Sequence, residues 1–401
     1  MSEFTTWEVL EMIEAAGLMS RLDLSERDLS GIDLGRSAVL AELHRVHQRD
    51  PEAAPLWWGQ HNEGLSCTGA NLTDADLRGA HLEGASLIAA TLRDADLEGA
   101  HLEEADIQLS HLEKADLSYA HLEGANMQGA HLQGAWLTSA HLEGAILRRA
   151  HLEGAHLDRA HLDKADLIWS YLERADLSGA SLRQAKLVEL ASATGVRLTR
   201  ATFGETQVTW RELEGNLGEE LDRKWREAEE IYLALKSNFE QLGRYEDASW
   251  AYRKERCMEK REAWETATMA LQERRSGQAI RYGWKAALDQ VVELVCDYGE
   301  SIKRILTTMA VVLLVFAVLY WAIAGVWGPW EKIPEGRIRH ITRNPIDLLT
   351  FSLGAMTTLG PPGLEARPTL LMRVLMPVQA MLGIVLAGLL GFVLGNRIRR
   401  S

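Results

Sequence analysis

Residues 75–94 read Ala75-Asp76-Leu77-Arg78-Gly79, Ala80-His81-Leu82-Glu83-Gly84, Ala85-Ser86-Leu87-Ile88-Ala89 and Ala90-Thr91-Leu92-Arg93-Asp94. The same five-residue frame runs from Leu72 to Leu187 for 24 units, with Ile107 or Met127 twice replacing leucine and an Ala or Ser always two positions earlier. A period of five fits neither the 3.6 of an α-helix nor the 2 of a strand, so no amphipathic helix or strand buries this pattern. A short fixed period instead predicts a solenoid, in which each unit stacks on its neighbours to make a shared core.

Outward from this array the frame continues in weaker form. Asp23-Leu24, Asp28-Leu29 and Asp33-Leu34 keep its phase, and an excursion over 38–64 separates them from the main array at 70–189. Leu198, Phe203 and Val208 extend it at the other end, giving a repeat domain over 1–210. Thr5, Glu8 and Gly17 predict a short capped helix at 5–16.

The Ala-(Asp/Asn/His)-Leu-x-x unit resembles the pentapeptide-repeat proteins. That resemblance implies a right-handed, four-sided β-helix with four units per coil and Leu and Ala inside. Twenty-residue coils place histidine at 81, 101, 121, 141 and 161 in one column and at 111, 131 and 151 in another. Glu often follows two positions later, as in His81/Glu83, His121/Glu123 and His141/Glu143. Such columns form either a solvated face or a pH-responsive one, since stacked imidazoles oppose one another's charging while glutamates favour it. Zinc is the weaker reading, because a flat ladder does not converge four ligands on a tetrahedral point.

Composition limits the partners. Residues 66–190 hold 20 Asp/Glu against 10 Lys/Arg, which is −10 of the chain's −14. An acidic rod repels phosphates, so no nucleic-acid partner is expected. Some pentapeptide-repeat proteins mimic duplex DNA, but that role needs no membrane anchor. Neither a nucleophile–base constellation nor a glycine-rich phosphate loop appears, so the expectation is a scaffold or recognition surface, not an enzyme, with no cofactor. Cys67, Cys257 and Cys296 form no CxxC pair and read as buried, reduced residues of a cytosolic setting. The opening residues carry no secretory signal pattern.

Residues 211–300 form a charged helical connector. Leu242-Gly243 divides two helices that resemble one tetratricopeptide-type hairpin, suited to packing against the rod or a sister subunit. Arg274, Arg275, Arg281 and Lys285, with Tyr282 and Trp284, suit the inner membrane surface.

Residues 301–401 read as a membrane hairpin. Residues 305–327 are 23 without a charge, preceded by Lys303-Arg304, and 374–394 are 21 more, closed by Arg397, Arg399 and Arg400. Each is long enough for a ~30 Å hydrocarbon core, and the basic outer flanks put both termini on the cytoplasmic side of the inner membrane. Between them, Asn344-Pro345 starts a helix over 345–356 that is too short to cross, and a Thr/Gly/Pro loop follows at 357–363.

This order resembles the two-transmembrane pore of the potassium-channel superfamily. The resemblance implies a homotetrameric ion channel in the bilayer, with a re-entrant pore helix and a selectivity filter at Thr357, Thr358, Leu359, Gly360, Pro361, Pro362 and Gly363. It also implies bending points at Gly383 and Gly388. Pro361-Pro362 depart from the family's Gly-Tyr-Gly, and proline cannot adopt the φ > 0 that glycine can. Arg337, Arg339, Arg343, Arg367 and Arg373 would make a basic vestibule that repels cations. The expected conductance is therefore not strictly K⁺-selective: either a non-selective cation conductance that discriminates poorly between K⁺ and Na⁺, or one permeable to anions. The rod would serve gating, sensing or docking of a cytosolic protein partner; the alternative is a membrane-anchored scaffold with a non-conducting hairpin.

Overall fold

Alanine and leucine at fixed positions of every unit leave no room for a sheet of long strands, and among the described residues of the repeat region the computed structural model contains none. It describes residues 67–209, 217–299, 301–323, 325–328, 331–333, 336–338, 340–357, 364–367 and 369–400, together with 8, 9, 12, 24, 25, 27–30, 32 and 213. The excursion over 38–64 and most of the helix expected at 5–16 lie outside the described residues, although Glu8, Val9 and Met12 are helical. The chain divides into two compact units, Met1–Glu262 and Ala263–Ser401.

In the first unit the residue before each Leu pairs in parallel with the residue twenty further on, as in Asp76 with Asp96, His81 with His101 and Ser86 with Asp106. Twenty residues make one four-unit coil. Each pairing is a single bridge flanked by amide bonds such as Leu122 N–H to His141 O at 2.7 Å and His121 N–H to Ala100 O at 2.9 Å. Between sides the chain turns through a bond from Ala N–H to the Leu carbonyl three residues earlier, with a φ > 0 residue in the third turn position. Non-glycine residues carry that conformation at Asp74, Glu104, Leu109 and Tyr119 among others. The stacked Ala and Leu side chains form one core; Leu82, Leu102, Leu122 and Leu142 are at most 2% exposed.

The weak units before the excursion join this stack, because Asp28 pairs with Asp76 and His81 N–H bonds Ile32 O at 2.7 Å. The weakening after Leu187 has a simple cause. Asp166 pairs with Lys186, twenty residues on, whereas Tyr171 pairs with Ser192, twenty-one on, so one extra residue is accommodated between Leu187 and Ser192. The last pairing joins strands β1 (Lys186–Leu187) and β2 (Gln207–Val208).

An open coil end exposes unpaired amides and carbonyls. Helices α1 (Gly218–Leu221) and α2 (Trp225–Gln241), with Arg244 just before α3 (Tyr245–Gln272), supply what the missing coil would. Glu219 Oε1 accepts from the amides of Leu198 and Thr199 at 2.9 and 2.8 Å, and the Asn238 carboxamide both accepts from Thr206 N–H at 3.0 Å and donates to Thr206 O at 2.9 Å. Arg244 donates to Val208 O. The connector's first hairpin, with its break at Leu242-Gly243 as the sequence indicates, is thus the C-terminal cap of the solenoid. Buried Glu220 sits among Tyr232, Lys254 and Arg261. Burial and the Glu220 carboxylate push the Tyr232 hydroxyl well above its ordinary pKa.

In the second unit α4 (Ser276–Cys296) leads through a short 3-10 turn (Asp297–Gly299) to α5 (Ile302–Ala322). Then come β3 (Val326–Trp327), β4 (Glu331–Ile333), β5 (Gly336–Ile338), α6 (Pro345–Thr357), β6 (Glu365–Ala366) and α7 (Leu370–Arg400). The first apolar helix therefore occupies 302–322, not 305–327. Val326 and Trp327 leave it to pair as a strand with Ala366 and Glu365, an option that counting uncharged residues cannot reveal. The second runs beyond 374–394 at both ends. Cys67 and Cys296 are buried free thiols, with burial pushing Cys67 up to about 12, but Cys257 is only half-buried.

Candidate functional site

Two arrangements stand out, one in each unit. In the second unit, α5 and α7 are long and apolar enough to cross a membrane. α6, only 13 residues long, packs on both. Its start follows the sequence signal: Asn344 Oδ1 accepts from Ile346 N–H at 3.1 Å, and Thr342 donates to Asp347 at 2.7 Å. Along α6, Leu348, Phe351, Ser352, Ala355 and Met356 are buried, while Ile346 and Leu353 are exposed.

A polar chain ties the three helices together. Tyr320 of α5 donates to Gln379 Oε1 at 2.6 Å. The Gln379 carboxamide of α7 donates to Ser352 O at 3.0 Å and lies 2.6 Å from Ser352 Oγ, which donates to Leu313 O of α5 at 2.8 Å. Tyr320, Ser352 and Gln379 are fully buried. Buried polar groups are stable only when paired, and here each has a partner. This network escaped the sequence reading; its signal was a lone Gln, Tyr and Ser inside apolar runs.

The residues singled out from sequence fall as follows. Thr357 is the last residue of α6, exposed, and its hydroxyl donates to Leu353 O at 2.9 Å. Thr358, Leu359, Gly360, Pro361, Pro362 and Gly363 lie outside the described residues, as does Arg339. Gly383 is buried where α7 meets α6, and a Cβ there would overlap the Met356 carbonyl. Gly388 faces open space, and α7 is helical through both. Arg337 lies on β5; Arg343 and Arg373 are exposed. Arg367 lies with its guanidinium 5.4 Å from the Trp327 ring centre, and its amide donates to Gly325 O at 2.7 Å. The apolar outer faces of α5 and α7 carry exposed Leu306, Val311, Leu314, Val318, Ile384 and Val385.

In the first unit the two histidine columns form as the twenty-residue coil requires. His81, His101, His121, His141 and His161 stack with ring centres 4.5–4.9 Å apart. His111, His131 and His151 stack likewise and continue onto Tyr171. Nδ1 of His81, His101 and His121 lies 2.8, 3.1 and 3.4 Å from the glutamate two residues on. Burial, followed by the neighbouring His111 and His151, holds His131 below its ordinary pKa.

Comparison with known proteins bears on this solenoid. The family model of pentapeptide repeats matches residues 66–103, 105–144, 137–174 and 165–209, so this part of the chain consists of pentapeptide repeats. The chain is similar to HetL, a pentapeptide repeat protein involved in heterocyst differentiation regulation from the cyanobacterium Nostoc sp. strain PCC 7120. The match has 25% identity over 52% of this chain and 96% of HetL, with a TM-score of 0.20. It is similar also to Rfr23, a pentapeptide repeat protein from the cyanobacterium Cyanothece 51142, at 26% identity over 39% of this chain and 93% of Rfr23, with a TM-score of 0.14. QnrB1, a plasmid-mediated fluoroquinolone resistance protein, is 20% identical over 38% of this chain and 81% of its own, with a TM-score of 0.18. No curated protein matches the sequence.

Proposed function

We propose that the C-terminal unit is an oligomeric ion-conducting pore of the inner membrane and that the pentapeptide-repeat unit is its cytosolic gating, sensing or docking module. The observation that carries this reading is α6. A 13-residue helix cannot cross a bilayer, yet it is capped at its start and held against two apolar helices by the Ser352–Gln379–Tyr320 chain. Such a half-crossing element is tolerated at membrane depth only where it is enclosed by protein or lines water. A two-helix anchor would need no buried short helix between its arms.

One subunit cannot enclose a channel, and exposed apolar side chains on α5, α6 and α7 are available for sister subunits and lipid. The tetramer implied by the potassium-channel resemblance is the assembly we favour. Permeation would pass the 357–363 loop, with Pro361-Pro362 weakening K⁺ over Na⁺ discrimination and the arginines at 337, 339, 343, 367 and 373 favouring anions.

Reconstitution of the purified chain into planar bilayers under asymmetric KCl tests this. Current with a reversal potential well short of the K⁺ value is expected. Electrical silence, together with a monomer in nanodiscs by mass photometry, would leave the non-conducting anchor as the correct reading.

A further inference from the structure

The His81–His161 column differs from the other in the chemistry between its rings. The first four units on this side, 80–84, 100–104, 120–124 and 140–144, read Ala-His-Leu-Glu followed by Gly or Glu, without a Lys or Arg, whereas the fifth, 160–164, carries Asp163 and Lys164. Each glutamate lies between the imidazole of its own coil and that of the next, as Glu143 does at 3.7 Å from His141 and 3.9 Å from His161. In the other column Glu113 is taken by Arg93 at 3.0 Å and the next position is Gln133, so the carboxylate series is broken.

Within the first column, the ligand atoms of His101, Glu103 and His121 lie within 4.8 Å of one another, as do those of Glu123, His141 and Glu143. A zinc ion held at about 2.0–2.1 Å by an imidazole and a carboxylate in tetrahedral geometry separates those two atoms by about 3.3 Å. Within the first set His101 Nδ1 to Glu103 Oε1 is 3.1 Å, and within the second His141 Nδ1 to Glu143 Oε1 is 3.7 Å. A second observation points the same way. The remaining carboxylate oxygens of Glu103, Glu123 and Glu143 are shielded from solvent and accept no hydrogen bond. Negatively charged oxygens in that state call for a cation.

We propose that this face of the solenoid binds divalent transition-metal ions of the zinc class, at His101–Glu103–His121 and at Glu123–His141–Glu143. Three protein ligands and water complete each site, so the four-ligand convergence that a flat ladder lacks is not required. The two sites share no residue. The neighbouring set His81–Glu83–His101 shares His101 with the first site, so no more than two of the three sets in this column fill at once. Imidazole ligation distinguishes these ions from Ca²⁺ and Mg²⁺, which prefer oxygen. The inference does not depend on the membrane unit conducting.

The test is zinc titration by calorimetry of the full-length, untagged chain in detergent, beside the triple variant Glu103→Gln, Glu123→Gln, Glu143→Gln. Two zinc ions per chain are expected for the unaltered protein, with at least a tenfold loss of affinity in the variant and little change for Glu113→Gln. Equal zinc binding by the unaltered and triple-variant proteins overturns the proposal, as does Mg²⁺ binding as strong as zinc. Co²⁺ added to the unaltered protein is a second readout that needs no variant. Intense visible bands of a four- or five-coordinate ion support the site, and the pale spectrum of hydrated Co²⁺ refutes it.

Discussion

Leu122 sits on the inner side of the middle coils, 0% exposed, with Leu102 and Leu142 in the coils before and after it. Replacing it with alanine removes three carbons whose transfer from water is worth ~0.8 kcal/mol each, or ~2.4 kcal/mol. The coil cannot collapse into the gap, because its sides are fixed by bonds such as Leu122 N–H to His141 O at 2.7 Å. A cavity term therefore adds to the loss, for a total of about 3–4 kcal/mol. For a unit of this size that corresponds to a fall of roughly 6–16 °C in Tm. Leu122→Asp should cost more, since it places a carboxylate among Leu and Ala side chains with no partner. Glu123→Gln, one residue away but on the outer face, should change stability by no more than about 0.5 kcal/mol. Scanning calorimetry of the full-length chain in detergent gives the three Tm values. Hydrogen exchange gives their locality, with amides near 102 and 142 loosened and those near 182 unchanged, because a solenoid couples mainly to nearest neighbours. Equal Tm values for Leu122→Ala and Glu123→Gln would refute the inward assignment and the coil geometry behind it.

Gln379→Leu should destabilise the second unit by about 1–3 kcal/mol, read as thermal stability in detergent, because it strands the Tyr320 hydroxyl and a Ser352 carbonyl in an apolar interior. Gly383→Ala should cost about 1–3 kcal/mol by forcing α7 away from the Met356 carbonyl. Gly388→Ala, which meets open space, should be neutral or gain up to about 1 kcal/mol of helix propensity by the same assay. His131, held below 6.5 by burial and by His111 and His151, takes up its proton less readily in the fold than in the unfolded chain. Its contribution is intact above pH 6.5 and is lost as pH falls through 6.5 towards the folded value, so His131→Gln should flatten the decline of Tm over that interval.

What the sequence alone determined is whatever a fixed spacing enforces. Leu at every fifth position and Ala two before it allow only a stacked coil, so the solenoid and the register of both histidine columns follow from residue numbers. Asn344-Pro345 likewise marks the start of α6, because the N-cap side chain and the proline act within one turn. Tertiary structure decided what depends on partners distant in the chain. Glu219 and Asn238 look like ordinary helix-surface residues until α1 and α2 lie across the last coil and offer its amides and carbonyls the bonds a further coil would have made. Val326 and Trp327 extend an apolar run in one dimension, yet pair with residues 365–366 in three. Gln379, Ser352 and Tyr320 are 27 to 59 residues apart, and only the packing of three helices brings them within hydrogen-bond reach. The glutamate oxygens shielded between stacked imidazoles belong to the same class: periodicity puts Glu beside His, but only the spacing of real coils leaves those oxygens without a partner.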